Sequence, residues 1–405
     1  MDDKKLKYFV GETDKNPLSY SCGEIMKFVV TPKIGDEFLD IPQFRFYKLR
    51  IEGDDGRIEE GSVSSLDRKP LVLTTSLKRP GFVRVIVEAC DGDKKPLSDV
   101  DKFEGGAGAD IEKIELDSIV PDDYEEFWGK LKDELSKIEF DSARLTKYAA
   151  KIDTSGYDVY KLEIDMPFGR PATGLLSIPC DSGDKKLPIR ICCVGYGVTK
   201  IDPVLEPGTI TLAMHAHGLD LDRDDKYFEE LFREPDGKLF YYGFNNIENS
   251  RPETAYFHDM IARDLAGAMY LERMPQWDGK TFVAAGGSQG AFQSINIAAH
   301  DDKVTFVDVC VPWFSNLGGY RHNRMRGWSP DYTYGLCYYD TAVAARFIKC
   351  PISIVAGLGD YICPPSGIMA LFNGVKTSAE LNFLQNKTHA YDCPIEMAYT
   401  LKNKK

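Results

Sequence analysis

From residue 187 onward the chain repeats one pattern that leaves few folds open to it. Nearly continuous apolar runs at 187–194, 209–214, 280–285, 304–311, 351–356 and 380–384 are separated by stretches long enough to hold a helix. A strand with one wet face alternates apolar and polar residues, whereas an unbroken apolar run suits a parallel strand covered by helices on both faces. One helix is explicit, since residues 256–274 carry Phe257, Ile261, Leu265 and Ala268 on one side. The alternation predicts a doubly wound, mostly parallel α/β domain over residues 111–405.

The first 110 residues follow a different period. Short alternating runs at 25–31, 44–51, 71–75 and 83–89 are divided by Asp54-Asp55-Gly56, Arg79-Pro80-Gly81 and Asp91-Gly92-Asp93. Turn signals at this spacing predict a small all-β sandwich of immunoglobulin-like type over residues 1–110. Gly105-Gly106-Ala107-Gly108-Ala109 reads as a flexible connection or a tight turn near the boundary. Pro121-Asp122-Asp123-Tyr124-Glu125-Glu126-Phe127-Trp128 then starts a helix, with Phe127, Leu131, Leu135 and Ile138 as its apolar face and Trp128 as packing.

Composition removes several function classes. The net charge of -13 repels phosphate backbones and anionic membrane surfaces. The basic runs Asp184-Lys185-Lys186 and Lys402-Asn403-Lys404-Lys405 are short solvated faces without aromatics, so no nucleic-acid partner is expected. No apolar stretch approaches the ~18 residues of a membrane span. The start Met1-Asp2-Asp3-Lys4-Lys5 lacks an apolar secretory core, which makes a cytoplasmic location the expectation unless the numbering begins on a trimmed chain. The ten cysteines are scattered without a CxxC pair, and Cys192, Cys193, Cys310 and Cys350 lie in apolar runs, so they read as buried reduced thiols.

The chemistry is carried by Gly286-Gly287-Ser288-Gln289-Gly290, a GxSxG placed between an apolar run and a helix-compatible one. A sharp strand-to-helix turn there holds a serine in a strained conformation with its hydroxyl exposed at the carboxyl edge of the sheet. A serine so placed needs a base and an acid, which follow it in the order acid, then histidine. Asp360 stands just past the run at 351–356, and of the six histidines only His389 lies beyond it. The triad reading is therefore Ser288, Asp360 and His389. The oxyanion donors are assigned to the backbone N–H of Gln289 and to that of Tyr196, in Gly195-Tyr196-Gly197 after the run at 187–194.

His215 and His217 could face one way on an extended segment, with Asp220, Asp222 and Asp224 following. Lacking an evident third ligand, they read as histidines hydrogen-bonded within their loop, and neither metal nor cofactor is expected.

At this point the chain resembles the acetyl xylan esterase and cephalosporin C deacetylase family of carbohydrate esterases, within the α/β-hydrolase superfamily. The segments that carry the resemblance are residues 121–128, Gly195-Tyr196-Gly197, the GxSxG, Tyr338-Tyr339-Asp340, and Gly357-Leu358-Gly359-Asp360-Tyr361-Ile362-Cys363-Pro364-Pro365-Ser366. It implies an α/β-hydrolase fold, the same triad and oxyanion donors, removal of acetyl groups from small acetylated carbohydrates such as xylo-oligosaccharides, and a homo-oligomer. It also implies a leaving-group pocket lined by Trp313, Phe314 and Tyr320, which follow Val311-Pro312. The chain departs from the family in two places: His215-Ala216-His217 stands where Arg-Gly-Gln is usual, and His389-Ala390 where His-Glu is frequent. The alternatives are a prolyl-oligopeptidase-type peptidase, a dienelactone-hydrolase-like enzyme, or a non-catalytic carbohydrate-binding protein. About 110 residues ahead of the α/β part are too few for an oligopeptidase propeller, which takes four or more four-stranded blades.

Overall fold

The structure is a computed structural model that describes residues 6–183, 185–233, 239–390 and 392–403. The chain start, Asp184 of one basic run and Lys404-Lys405 of the other lie outside the described residues.

The N-terminal part is two antiparallel sheets. In one, β2 (Met26–Ile34) pairs with β1 (Lys7–Thr13), β3 (Glu37–Phe38) and β6 (Leu71–Thr75); in the other, β5 (Ile58–Ser64), β4 (Phe46–Gly53), β7 (Gly81–Cys90) and β8 (Phe103–Ala109) lie side by side. Inward residues of both sheets, among them Phe9, Phe28 and Val30 from one and Tyr47, Ile51, Val85 and Val87 from the other, share one core. The sheets therefore pack as a sandwich.

The C-terminal part is built on a ten-stranded sheet in the order β18-β17-β16-β15-β14-β12-β13-β11-β10-β9. Its members are β9 (Arg144–Lys147), β10 (Tyr157–Ile164), β11 (Ala172–Pro179), β12 (Leu187–Cys193), β13 (Ile210–His215), β14 (Trp277–Gly287), β15 (Phe306–Cys310), β16 (Ile352–Gly357), β17 (Ala379–Lys387) and β18 (Asp392–Lys402). The strands from β12 to β17 run parallel, and β9, β10, β11 and β18 add antiparallel edges. The helices are α1 (Tyr124–Leu135), α2 (Asp225–Arg233), α3 (Tyr256–Leu271), α4 (Gln289–His300), α5 (Thr341–Ala344) and α6 (Pro365–Gly374). The strand order reverses about β12, with β13 on one side and β14 on the other. In such sheets the ligand crevice opens at the carboxyl ends of the strands where the order reverses.

Three expectations need correction. Residues 105–109 form no flexible connection but the greater part of β8, buried along its length. The glycines are there because backbone passes on both sides: a Cβ on Gly106 would lie 2.5 Å from the Val83 carbonyl oxygen and 2.7 Å from that of Leu358. The predicted helix at 256–274 ends at Leu271, and α1 ends at Leu135 before Ile138, with Tyr124 and Trp128 on its buried side and Phe127 only half-buried. The cysteines are not uniformly buried, since Cys180 and Cys310 are exposed and Cys22 and Cys192 half-buried; none of the nine described is in a disulfide. Cys310 is the last residue of β15, where the sheet opens to the crevice.

Candidate active site

The register of the parallel strands assembles the site. β12 and β14 align Cys193 with Gly286, so Gly195-Tyr196-Gly197 leaves the sheet next to Ser288. β16 and β17 align Gly357 with Leu384, which brings the loops after them, with Asp360 and His389, to the same edge.

Ser288 has φ 56° and ψ −117°, a conformation that side chains rarely adopt, as the residue between β14 and α4. The turn is locked from several sides. The Ser288 N–H donates to the Cys310 carbonyl, and the Ser288 carbonyl accepts from the N–H groups of Phe292 and Trp313. A Cβ on Gly290 would lie 2.1 Å from the Cys193 carbonyl oxygen, and one on Gly286 2.5 Å from the Gly290 carbonyl carbon, so only glycine lets strand and helix approach this closely.

Ser288 Oγ lies 3.0 Å from His389 Nε2, and His389 Nδ1 lies 3.0 Å from Asp360 Oδ2. Asp360 is 1% exposed, and its other oxygen accepts from the N–H groups of Ile362 and Cys363 at 2.8 and 2.9 Å. The carboxylate can only accept, so it fixes the imidazole proton on Nδ1 and leaves the Nε2 lone pair facing the serine hydroxyl. Tyr391, counted in the histidine's loop, lies outside the described residues.

Gln289 is the first residue of α4, and its N–H has no acceptor within the helix. The Tyr196 N–H finds no acceptor among the described residues. Both N–H groups remain available to a ligand at Ser288.

The segments bearing these donors are joined by a line of buried hydrogen bonds that sequence reasoning did not find. His217, 1% exposed, contacts the Gly197 carbonyl through Nε2 at 2.9 Å and the Tyr256 hydroxyl through Nδ1 at 2.7 Å. Burial pushes its pKa well below 6.5, with neighbouring His215 adding to the effect, so the ring is neutral. A carbonyl cannot donate, so the proton is on Nε2 and Tyr256 donates to Nδ1. Arg170 then donates to the Tyr256 oxygen at 3.1 Å. Beyond Gly197, its N–H donates to the Tyr242 oxygen at 3.0 Å, and Tyr242 donates to Gln289 Oε1 at 2.6 Å. Every bond in this line has a single direction. Arg263 supports it from below, with Nε and Nη2 donating to the Ala216 carbonyl. The aromatic residues Phe240, Tyr241, Tyr242 and Phe244 in an otherwise polar loop were the only sequence signal for Tyr242.

The expectation that both histidines bond within their loop is corrected for His217, whose two ring nitrogens bond to Gly197 and Tyr256 outside it, while His215 Nδ1 accepts from the His217 N–H at 3.3 Å. Among the described residues, Asp360, Cys363 and His389 bring one ligand atom each within 4.8 Å of one another. Asp360 and His389 are already bonded to each other there, and burial pushes the Cys363 thiol up.

The structure brings the three expected aromatic residues together: Trp313, Phe314 and Tyr320 line one pocket with Arg324 and Pro364. Trp313 and Phe314 are 1% and 2% exposed, so each presents only a little of its surface to that pocket. Trp313 Nε1 donates to the Trp328 carbonyl, and its ring stacks on that of Trp328 at 5.6 Å. Tyr320 is half-buried, accepts from the Tyr332 N–H and lies beneath the Arg326 guanidinium. Half-buried aromatic rings gather at the donor loop: Tyr196 and Trp328 meet edge to face at 4.5 Å, Phe244 lies against both, and Tyr196 stacks on Tyr242 at 4.2 Å.

Comparison with known proteins places the chain in a family. Residues 109–325 and 320–403 match the family model described as acetyl xylan esterase (AXE1). The chain is 27% identical over 340 residues to acetyl esterase Axe7A of Xylanibacter ruminicola, covering 79% of this chain and 73% of that protein. Among solved structures, acetyl xylan esterase 1 from a Thermoanaerobacterium species superposes with a TM-score of 0.57 at 19% identity, over 70% of this chain and 93% of that one. The acetyl xylan esterase of a Paenibacillus species gives 0.55 at 17% identity, over 69% and 93%. These likenesses carry the α/β-hydrolase fold, and the family match spans most of the sequence from the end of the sandwich onward. The chain is a member of the acetyl xylan esterase family.

Proposed function

We propose that this protein is a serine esterase that removes acetyl groups from acetylated carbohydrates, xylo-oligosaccharides among them, through an acetyl-enzyme. The observation that carries the reading is the hydrogen-bonded line from Ser288 through His389 to Asp360 at a strained strand-to-helix turn. Ser288 Oγ attacks the acetyl carbonyl carbon while its proton passes to His389 Nε2, and the imidazolium is stabilised by Asp360. The tetrahedral oxyanion is received by the N–H groups of Tyr196 and Gln289. Its collapse expels the sugar oxygen, which takes the proton from His389. Water, deprotonated by His389, then attacks the acetyl-enzyme, and acetate leaves as Ser288 recovers its proton.

Family membership weighs against the peptidase, dienelactone-hydrolase-like and non-catalytic readings. The test is the initial rate on 4-nitrophenyl acetate, butyrate and octanoate, together with acetate release from acetylated xylo-oligosaccharides, for the native protein and Ser288→Ala. Acetate-favoured turnover that disappears in the variant supports the proposal; turnover that survives overturns the triad. Self-association is part of the same reading, and a monomer mass by light scattering would remove that part.

A further inference from the structure

The N-terminal sandwich meets the hydrolase part at the two loops that carry the acid and the base. Near the end of β17 its pairing with β18 is irregular: Gln385 pairs with Met397, but the next pairing is Lys387 with Asp392, so β18 carries the extra residues opposite Asn386. Asn386, the residue passed over, has φ 61°. Left out of the ladder there, its side chain enters the sandwich instead. Asn386 Oδ1 accepts from the Gly11 N–H at 2.9 Å, and its Nδ2 lies 3.5 Å from the Gly11 carbonyl. Gln385 treats β8 in the same way, accepting from the Gly106 N–H and donating to the Gly106 carbonyl, both at 2.8 Å. Both amides are 2% exposed, and each engages both backbone groups of one glycine, as a neighbouring strand would.

The acid loop is held from the same side. A Cβ on Gly359, next to Asp360, would lie 2.3 Å from the Glu104 carbonyl oxygen of β8. Tyr361, on the other side of Asp360, lies under the Arg84 guanidinium of β7 at 5.2 Å. Asp54, fully buried and fixed within the sandwich by the Phe82 N–H, accepts from the Met325 N–H and the Ser366 hydroxyl of the hydrolase part.

We infer that the sandwich is a positioning element of the esterase site: Gln385 and Asn386 tether to it the strand end that carries His389, and its β7 and β8 support the loop that carries Asp360. An apolar interface would tolerate sliding, whereas buried amides paired with backbone have one satisfied geometry. The triad needs that precision, since a 1 Å misplacement costs about a hundredfold in rate. The inference rests on the triad reading given above.

The test uses the full chain. Asn386→Gly keeps the left-handed backbone and deletes the tether, Gln385→Ala deletes the other, and Asn386→Asp keeps the acceptor for the Gly11 N–H. For the first two, kcat on 4-nitrophenyl acetate and the rate of serine labelling by a fluorophosphonate should fall at least about tenfold, with KM within about twofold. Asn386→Asp should recover most of both rates. Wild-type rates in Asn386→Gly and Gln385→Ala would overturn the inference, as would losses that merely track the folded fraction measured by circular dichroism. Ser288→Ala separates the two levels. Unlabelled Ser288→Ala beside fully active tether variants refutes the tether alone, whereas labelling that persists in Ser288→Ala removes the triad and the tether with it.

Discussion

Replacing His217 by phenylalanine isolates what the buried hydrogen-bond line contributes. The substitution keeps a planar ring but removes both nitrogens, leaving the Gly197 carbonyl and the Tyr256 hydroxyl without their partner in a site 1% exposed. Each orphaned buried group costs about 1–3 kcal/mol, so the variant should lose about 2–6 kcal/mol of stability in urea unfolding. The rate effect follows from position. Gly197 adjoins Tyr196, and its peptide is clamped between His217 and Tyr242, which in turn holds Gln289. Deleting an oxyanion donor outright costs about 10²–10³ in kcat, so loosening two of them should cost between about 10 and 10². His217→Gln is the control, because its amide offers a donor toward Gly197 and an acceptor toward Tyr256. Steady-state kinetics on 4-nitrophenyl acetate should show a lowered kcat in His217→Phe, little change in KM, and recovery in His217→Gln. A His217→Phe enzyme that is destabilised yet retains kcat within twofold would refute the link between this line and the donors.

Other consequences can be checked as directly. Ser288→Ala and His389→Ala should each lower kcat by several orders of magnitude, and the double variant by little more, because the residues act as a unit; additive losses in a double-mutant cycle would contradict that. Ser288→Gly should raise the melting temperature while abolishing turnover, since relief of the left-handed strain contributes roughly 1–3 kcal/mol. His215, whose pKa burial lowers to about 4, binds its proton more tightly when the chain is unfolded. Its contribution is therefore complete above pH 6.5 and is lost as pH falls from there toward 4, costing about 1 kcal/mol between pH 7 and 5.5. His215→Gln should remove that part of the acid destabilisation, and an unchanged pH slope in urea titrations would count against it. Gly106→Ala should cost about 1–3 kcal/mol or more, because backbone rather than side chain meets the new methyl group; a melting temperature equal to wild type would show that β8 can shift.

Much of the catalytic reading was legible in the sequence because each part of it has a local cause. The elbow needs two glycines at fixed distances from a serine, and Gly286, Ser288 and Gly290 state that need in five residues. Parallel strands buried on both faces advertise themselves as apolar runs, which is how β12 to β17 could be read. The antiparallel strands β9, β10, β11 and β18 were not read: β9 is short and exposed and β10 only partly buried, whereas β11, buried at all but one residue, is interrupted by Gly174. Glycine in Gly105-Gly106-Ala107-Gly108-Ala109 suggested freedom because, within a local window, the absence of a side chain means flexibility. In the fold it means that Val83 and Leu358 press from either side.

What the sequence by itself determined is the order of the chemistry: a serine at a strained turn, an acid past a later strand, and one histidine beyond it. Only the tertiary structure decided how those groups are held. His217, Tyr242 and Gln289 are distant in sequence and carry no common motif, yet one line of directed hydrogen bonds joins them. Gln385 and Asn386 look like ordinary polar residues at a strand end until the fold sets the sandwich against them, where backbone groups some 280 and 375 residues away need partners. A hydrogen bond is recognised by the meeting of donor and acceptor, and where they meet is fixed by packing rather than by position in the chain.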